Sequence, residues 1–154
     1  SQGAQPLISQ AYGRGDTPAV RQLCRLALLV SCLVGLSLAL TAQLAAQPLV
    51  ALFNRDGDPA LAKIAVEGLR IYFLGFLCAG PNIITAAFLG ASEQPRASFL
   101  LSLFRGGVGI AALVLLLAWL LGITGIWLAF PVTELLTLFL GLGVSRKVLR
   151  APLP

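Results

Sequence analysis

The chain has 154 residues, of which 58% are hydrophobic and only 11% are charged, and its formal net charge is +5. Soluble domains usually carry about 25% charged residues, so this chain has too few polar side chains to cover itself in water. Its eleven Lys and Arg residues lie at the ends of apolar runs and form no basic face with interleaved aromatic residues, so no nucleic-acid partner is expected. The composition predicts an integral membrane protein built from helices, with the lipid bilayer as its surroundings.

The polar stretch QPLISQAYGRGD, from Gln5 to Asp16, stands near the start of the chain. Its amides, hydroxyls and opposite charges predict irregular backbone at a water-exposed rim, because unpaired amides inside a bilayer are costly. Gly13 and Gly15 are expected to turn the chain there. Residues 1–19 are therefore predicted to form a cytoplasmic loop that serves as a structural connector or, as the alternative, as a substrate gate.

Four transmembrane helices are predicted after this stretch, at about residues 20–53, 60–92, 97–121 and 126–145. Long uncharged runs support them, since a membrane helix needs roughly 20 mostly apolar residues. The expected fold is thus an all-α membrane bundle. Polar or glycine-containing turns connect the helices, at 54–59, 93–96 and 122–125, and residues 146–154 are expected to form a cytoplasmic tail.

Two features are predicted to shape the bundle. Pro81 lies within the second helix and is expected to kink it, because a proline removes one backbone hydrogen bond. Small residues recur at four-residue spacing and predict close helix packing. They are Ser31, Gly35 and Ala39 on the first helix, Gly75 and Ala79 on the second, and Gly107 and Ala111 on the third.

The distribution of positive charge predicts the topology. Four spans place both ends on one side of the membrane, where seven Lys and Arg residues lie outside the spans or at their ends, against three on the other side. Positive charge accumulates in cytoplasmic loops. Both termini are therefore expected in the cytoplasm.

The opening stretch resembles a loop of the multidrug and toxic-compound extrusion (MATE) family, which follows the eighth helix and usually reads close to QPLISYNYGAGD. The matching positions include Gln5, Pro6, Tyr12, Gly13 and Gly15. Further segments resemble the family in the same order: NRDGDPALAKIAVEGLRIYFLGF leads into the tenth helix, NIITAAFLGASEQPRASFLLSLFRGG surrounds the loop before the eleventh, and GITGIWLAFPVTELLT begins the twelfth. The departures are modest: Gln10 and Ala11 stand where Tyr and Asn are usual, and 88–91 reads FLGA where FQAL is common.

This resemblance implies the last four helices of a twelve-helix antiporter built from two lobes. Such transporters exchange Na⁺ or H⁺ for amphipathic or cationic drugs by alternating access, and the expected setting is a bacterial plasma membrane. The absence of Met at position 1 agrees with a piece of a longer protein. The expected partners are then the missing N-terminal portion of the transporter and its drug-like substrates, with no cofactor beyond the coupling ion.

Arg105 and Glu134 are the ionisable residues predicted to lie well inside spans. Intramembrane charges usually face a partner or an aqueous cavity, so Glu134 is either a proton or cation site or one half of a salt bridge that stabilises the lobe. Counted from the turn at 122–125, the two differ in depth by eight residues, about 12 Å. A direct contact is thus expected to be marginal, and a bridge by a water or by the hydroxyl of Ser102 or Thr137 is the alternative.

Neutral polar residues complete the candidate transport path. Asn82 stands next to Pro81, where its amide is predicted either to coordinate a cation or to hydrogen-bond another helix. The remaining candidates are Gln43, Gln47, Thr85, Thr133 and Thr137.

Other classes of function have little support in the sequence. The chain has no His, and its three cysteines (Cys24, Cys32 and Cys78) show no metal-ligand spacing, so neither a metal site nor an enzyme is expected. A stand-alone four-helix scaffold or partner subunit is the alternative to the antiporter. A small exporter acting as a dimer of four-helix subunits ranks last, because it would need an acidic residue in its first span.

Overall fold

The computed structural model describes residues 3–92 and 94–150. All regular structure in this part of the chain is helical, which confirms the predicted all-α fold. The helices are α1 (Ala4–Gly13), α2 (Thr17–Phe53), α3 (Pro59–Phe73), α4 (Phe76–Ala91), α5 (Pro95–Leu103), α6 (Gly109–Leu121) and α7 (Ile123–Arg150), and a π-helical turn, Phe104–Val108, joins α5 to α6.

Four stretches are long and apolar enough to cross a membrane: Thr17–Phe53, Pro59–Ala91, Pro95–Leu121 and Ile123–Arg146. They occur where the sequence predicts the four spans. Many of their large apolar side chains are exposed, such as Leu33, Leu115 and Trp119, and a surface of this kind suits lipid rather than water. α4 lies at the centre of the bundle and packs against α1, α2, α5 and α7.

The irregular loop predicted over residues 1–19 is wrong for most of its length, because Ala4–Gly13 forms α1. Ile8 and Ala11 are buried and Tyr12 is half-buried, a spacing that places all three on one helical face. This face packs against α2 and α4 in a cluster that includes Val20 and Leu89.

The turn after α1 is shorter than predicted. Gly13 is helical, whereas Gly15 has a φ of +68°, a conformation that favours glycine. Asp16 then begins α2, since its Oδ1 accepts a hydrogen bond from the backbone N–H of Ala19 at 3.0 Å. The polar opening is therefore an amphipathic helix followed by a capped turn.

The second span breaks earlier than predicted. α3 ends at Phe73 and α4 begins at Phe76, while Pro81 lies inside α4. Around Leu74 and Gly75 the backbone N–H groups bond to carbonyls three residues back, as in a tighter 3₁₀ turn. The regular α-helix is thus interrupted one to two turns before the proline, and α4 continues through Pro81 itself.

The last two spans also differ from their predicted outlines. The expected continuous helix 97–121 contains the π-helical turn, and the expected four-residue reversal is reduced to Gly122, whose φ is +61°. The predicted tail does not leave the helix at residue 146, because α7 continues to Arg150. Residue 93 of the predicted loop and residues 151–154 of the predicted tail lie outside the described residues.

Close packing at small residues is confirmed between α2 and α4. A methyl group on Gly35 would overlap the backbone carbonyl oxygen of Phe76, and one on Gly80 would come within 2.7 Å of the backbone oxygen of Ser31. On the third span Gly107 itself makes no such approach, since the nearest atom to a methyl group there belongs to Leu103 of the same span, at 3.4 Å.

Candidate functional site

Arg105 and Glu134 form a direct ion pair inside the bundle. Nη2 of Arg105 lies 2.6 Å from Oε1 of Glu134, and Nε of the same arginine donates to that oxygen at 3.0 Å. Glu134 is 1% exposed, whereas the Arg105 side chain is 20% exposed. The carboxylate is therefore buried behind the guanidinium, and no bridging hydroxyl is needed.

The contact is direct because the hairpin between α6 and α7 is tighter than the sequence suggests. With only Gly122 in the turn, Arg105 lies 17 residues before it and Glu134 12 residues after it. The difference in depth falls to five residues, about 7.5 Å at helical rise, which an extended arginine side chain nearly covers. The π-helical turn also packs an extra residue into its span, and this brings Arg105 closer to the hairpin.

Asn82 of α4 holds the other side of the carboxylate. Its Nδ2 donates to Oε2 of Glu134 at 2.7 Å and to the backbone carbonyl of Glu134 at 2.7 Å. Of the two predictions for Asn82, the hydrogen bond to another helix is thus present. Its own Oδ1 is buried and has no hydrogen-bond partner in the described part of the chain, so one acceptor beside the ion pair is unsatisfied.

The three residues join three different segments of the chain. Asn82 comes from α4, Arg105 from the π-helical turn and Glu134 from α7. π-Helical turns are rare and occur frequently at functional sites, while a buried charge without a partner would be strongly destabilising. The arrangement can neutralise Glu134 and fix the relative positions of the three segments.

Thr133 and Thr137 lie on the same helix as Glu134 and are fully buried. Each hydroxyl donates to a carbonyl four residues earlier in α7, Thr133 to Ala129 at 2.6 Å and Thr137 to Thr133 at 2.7 Å. Their protons are therefore committed to the helix backbone.

Gln43 and Gln47 do not join this group. Nε2 of Gln43 donates to the backbone carbonyl of Arg70 at 2.9 Å, which links α2 to α3. Gln47 lines a separate cleft with Arg70, Lys63 and Glu67. The candidate transport-path residues thus divide between the ion pair and the end of the bundle near the α2–α3 turn.

Arg105 also lines a groove of about 570 Å³ between α2 and α4. Phe76 and Phe130 share that lining, and their rings belong to an aromatic cluster in which Tyr72 stacks on Phe130 with centroids 4.5 Å apart. The sequence analysis missed this cluster. The spacing of Tyr72 and Phe76, four residues apart, was the available signal.

The residues of the family-like motif lie at one end of α4. Gln5 and Pro6 border a cleft of about 380 Å³ with Gly90 and Ala91. Asn82 is nine residues before Ala91 on the same helix, about 13.5 Å away at helical rise. The motif and the ion pair are therefore separate regions.

Chemistry that needs a metal cluster has no support in the described residues, where no three His, Cys, Asp or Glu side chains come together. All three cysteines are free thiols. Among the described residues, the polar side chains that hydrogen-bond to one another inside the bundle are those of Asn82, Arg105 and Glu134.

A family model described as MatE matches residues 1–115. The chain belongs to the MatE family. The matched region includes Asn82 and Arg105, while Glu134 lies beyond it. A curated relative, the FAD transporter of Shewanella oneidensis, is 31% identical over 140 residues, which are 88% of this chain and 30% of the relative. The chain therefore spans less than a third of that relative's length. No solved structure matches it.

Proposed function

We propose that the chain is the C-terminal part of a secondary active antiporter that exports amphipathic or cationic drug-like molecules in exchange for Na⁺ or H⁺. Membership of the MatE family supports a role in transport, since the relative it matches is named as a transporter. On this proposal the chain alone does not transport, because alternating access requires one lobe to move against another.

The observation that carries the proposal is the match of residues 1–115 to the MatE family model. The buried group of Arg105, Glu134 and Asn82 is consistent with it, because polar and charged residues are expensive inside a membrane and need a structural or functional role there. Arg105 faces the groove between α2 and α4, so the group is reachable from outside the four helices.

Within this proposal Glu134 is the anchor of the bundle rather than the site of the coupling ion. Its Oε1 is paired with Arg105 at 2.6 Å, and its Oε2 accepts from Asn82 at 2.7 Å. A second cation at the same carboxylate would be repelled by the guanidinium. The geometry therefore favours the stabilising salt bridge among the two roles considered for Glu134.

The relative named FAD transporter favours a second candidate substrate, a flavin dinucleotide. Such a substrate is anionic, in contrast to the cationic drugs expected from the family resemblance. Comparing export of FAD with efflux of ethidium separates the two candidates.

The test uses cells that express residues 1–154 alone and cells that express a chimera in which this chain replaces the corresponding segment of the FAD transporter. We expect the chain alone to match an empty-vector control and the chimera to transport. A protonophore or a sodium ionophore should abolish that transport, according to the coupling ion. Efflux by the chain alone would contradict the proposal, and a folded but inactive chimera would favour a scaffold.

A further inference from the structure

A second groove, on another face of the bundle, combines a charged mouth with an apolar interior. It has a volume of about 500 Å³ and lies between α2, α4 and α7. Arg21, Arg25 and Arg146 stand at its mouth. Among the described residues, its lining includes no acidic side chain, and the mouth carries the three positive charges of these arginines.

The three arginines come from the start of α2 and from near the end of α7, which border the same groove. Arg21 and Arg25 are one helical turn apart near the start of α2, and Cys24, which lies between them in the sequence, also lines the groove. Arg146 lies near the end of the fourth span. In the described part of the chain the one ion pair is that of Arg105 with Glu134, and these three guanidinium groups are all exposed.

Beyond this mouth the groove becomes apolar. Its deeper lining includes Leu28, Pro81, Ile84 and Leu138. Arg146 and Leu138 are eight residues apart on α7, about 12 Å at helical rise. One leaflet of the hydrocarbon core is about 15 Å thick. The groove thus extends over most of one leaflet, with its charges at the level of the lipid headgroups.

We propose that this groove is a binding site for one anionic phospholipid, whose phosphate contacts the arginines and whose acyl chain lies along α4. Arginine forks match phosphate oxygens, and basic pockets between helices bind acidic headgroups at the cytoplasmic side of membranes. The charge at the mouth and the apolar interior together favour a lipid over a soluble anion, which would fill only the mouth. The site depends on the bundle being in a membrane and not on transport.

Leu142 lines the groove and provides a place for a reporter. In a Trp119→Phe/Trp127→Phe background, Leu142→Trp places the one tryptophan beside the proposed lipid. The chain is reconstituted in nanodiscs of phosphatidylcholine with increasing brominated phosphatidylglycerol, which quenches nearby tryptophan, and circular dichroism checks that the helices are retained. Brominated phosphatidylcholine is the reference lipid.

We expect phosphatidylglycerol to be preferred at least about fivefold, the ratio that corresponds to one arginine near an anionic surface. Replacing all three arginines by Gln should reduce that ratio to about one. Replacing Arg55, Lys63 and Arg70, which lie around the opposite end, removes the same charge and should leave the ratio unchanged. Raising the salt from 0.1 to 1 M should weaken the preference, since screening shortens from about 10 to about 3 Å.

Native mass spectrometry of the chain with its own tryptophans provides an independent measurement if the reporter variant fails to fold. The wild-type chain should retain one phosphatidylglycerol and the triple Gln variant none, with each single Arg→Gln change intermediate. Equal quenching by both lipids would overturn the proposal. So would displacement of the lipid by millimolar glycerol phosphate, which indicates a soluble-anion site, or a tryptophan that neither lipid quenches, which indicates a protein segment in the groove.

Discussion

The ion pair between Arg105 and Glu134 should dominate the response of the bundle to mutation. In Arg105→Ala the carboxylate of Glu134 stays buried without its counter-charge. Breaking a buried ion pair by removing one partner costs about 3–5 kcal/mol. We expect the lower end, about 3 kcal/mol, because Nδ2 of Asn82 still donates to Oε2.

Glu134→Gln and the double variant Arg105→Ala/Glu134→Gln should each lose less stability than Arg105→Ala. Glu134→Gln leaves Arg105 charged, but that side chain is already 20% exposed and lines a groove, so the expected cost is about 1–2 kcal/mol. The double variant has no uncompensated charge and should also lose only about 1–2 kcal/mol. It should therefore be more stable than Arg105→Ala alone, with a coupling energy of about 3 kcal/mol.

The free energy of unfolding can be measured by titrating sodium dodecyl sulfate into mixed micelles while following helicity. The exposed pair Lys63 and Glu67, four residues apart on α3, is the matched control and should couple by no more than about 0.5 kcal/mol. Additive effects of the Arg105 and Glu134 changes would refute the reasoning. Glu134 would then be available as a proton or cation site.

Two further predictions concern packing and topology. Gly35→Ala should destabilise the bundle by about 1–3 kcal/mol, because its methyl group overlaps the backbone oxygen of Phe76. The control Gly143→Ala, whose methyl group meets nothing within 4 Å, should leave the unfolding midpoint unchanged. Equal unfolding midpoints for the two variants would contradict close α2–α4 packing. If both termini are cytoplasmic, a membrane-impermeant thiol reagent applied outside cells should label Gly57→Cys and not Ser145→Cys. Both variants are made in a background without native cysteines. The reverse labelling pattern would overturn the assigned topology.

The sequence predicted the spans because the bilayer requires long apolar helices and few charges. It did not predict α1, whose polar residues are helical because tertiary contacts stabilise the helix. In α1 the buried residues Ile8 and Ala11 stand among amides and hydroxyls, so the polar composition concealed an amphipathic stripe. That stripe becomes stable by packing on α2 and α4, and a local pattern does not reveal such packing.

At the candidate site, the types of residue were predictable and their geometry was not. Arg105 and Glu134 were conspicuous as charges within apolar runs. Their contact depends on a one-residue turn at Gly122 and on a π-helical turn, neither of which has a reliable sequence signal. α4 and α7 approach closely at Gly75, where an added methyl group would overlap Phe130. Asn82 lies seven residues after Gly75, and this close approach helps bring the Asn82 amide within reach of Glu134.

The single-residue turn at Gly122 has a consequence for how the protein enters its membrane. A methyl group on Gly125 would overlap the backbone of Leu117, so the two helices are in contact from the turn onwards and neither can be placed independently of the other. An isolated charge at the centre of an inserting helix costs about 2.5–3.5 kcal/mol. Helices that enter together, as a hairpin, bring Arg105 and Glu134 into the apolar phase already paired, and biogenesis then never has to move either charge alone.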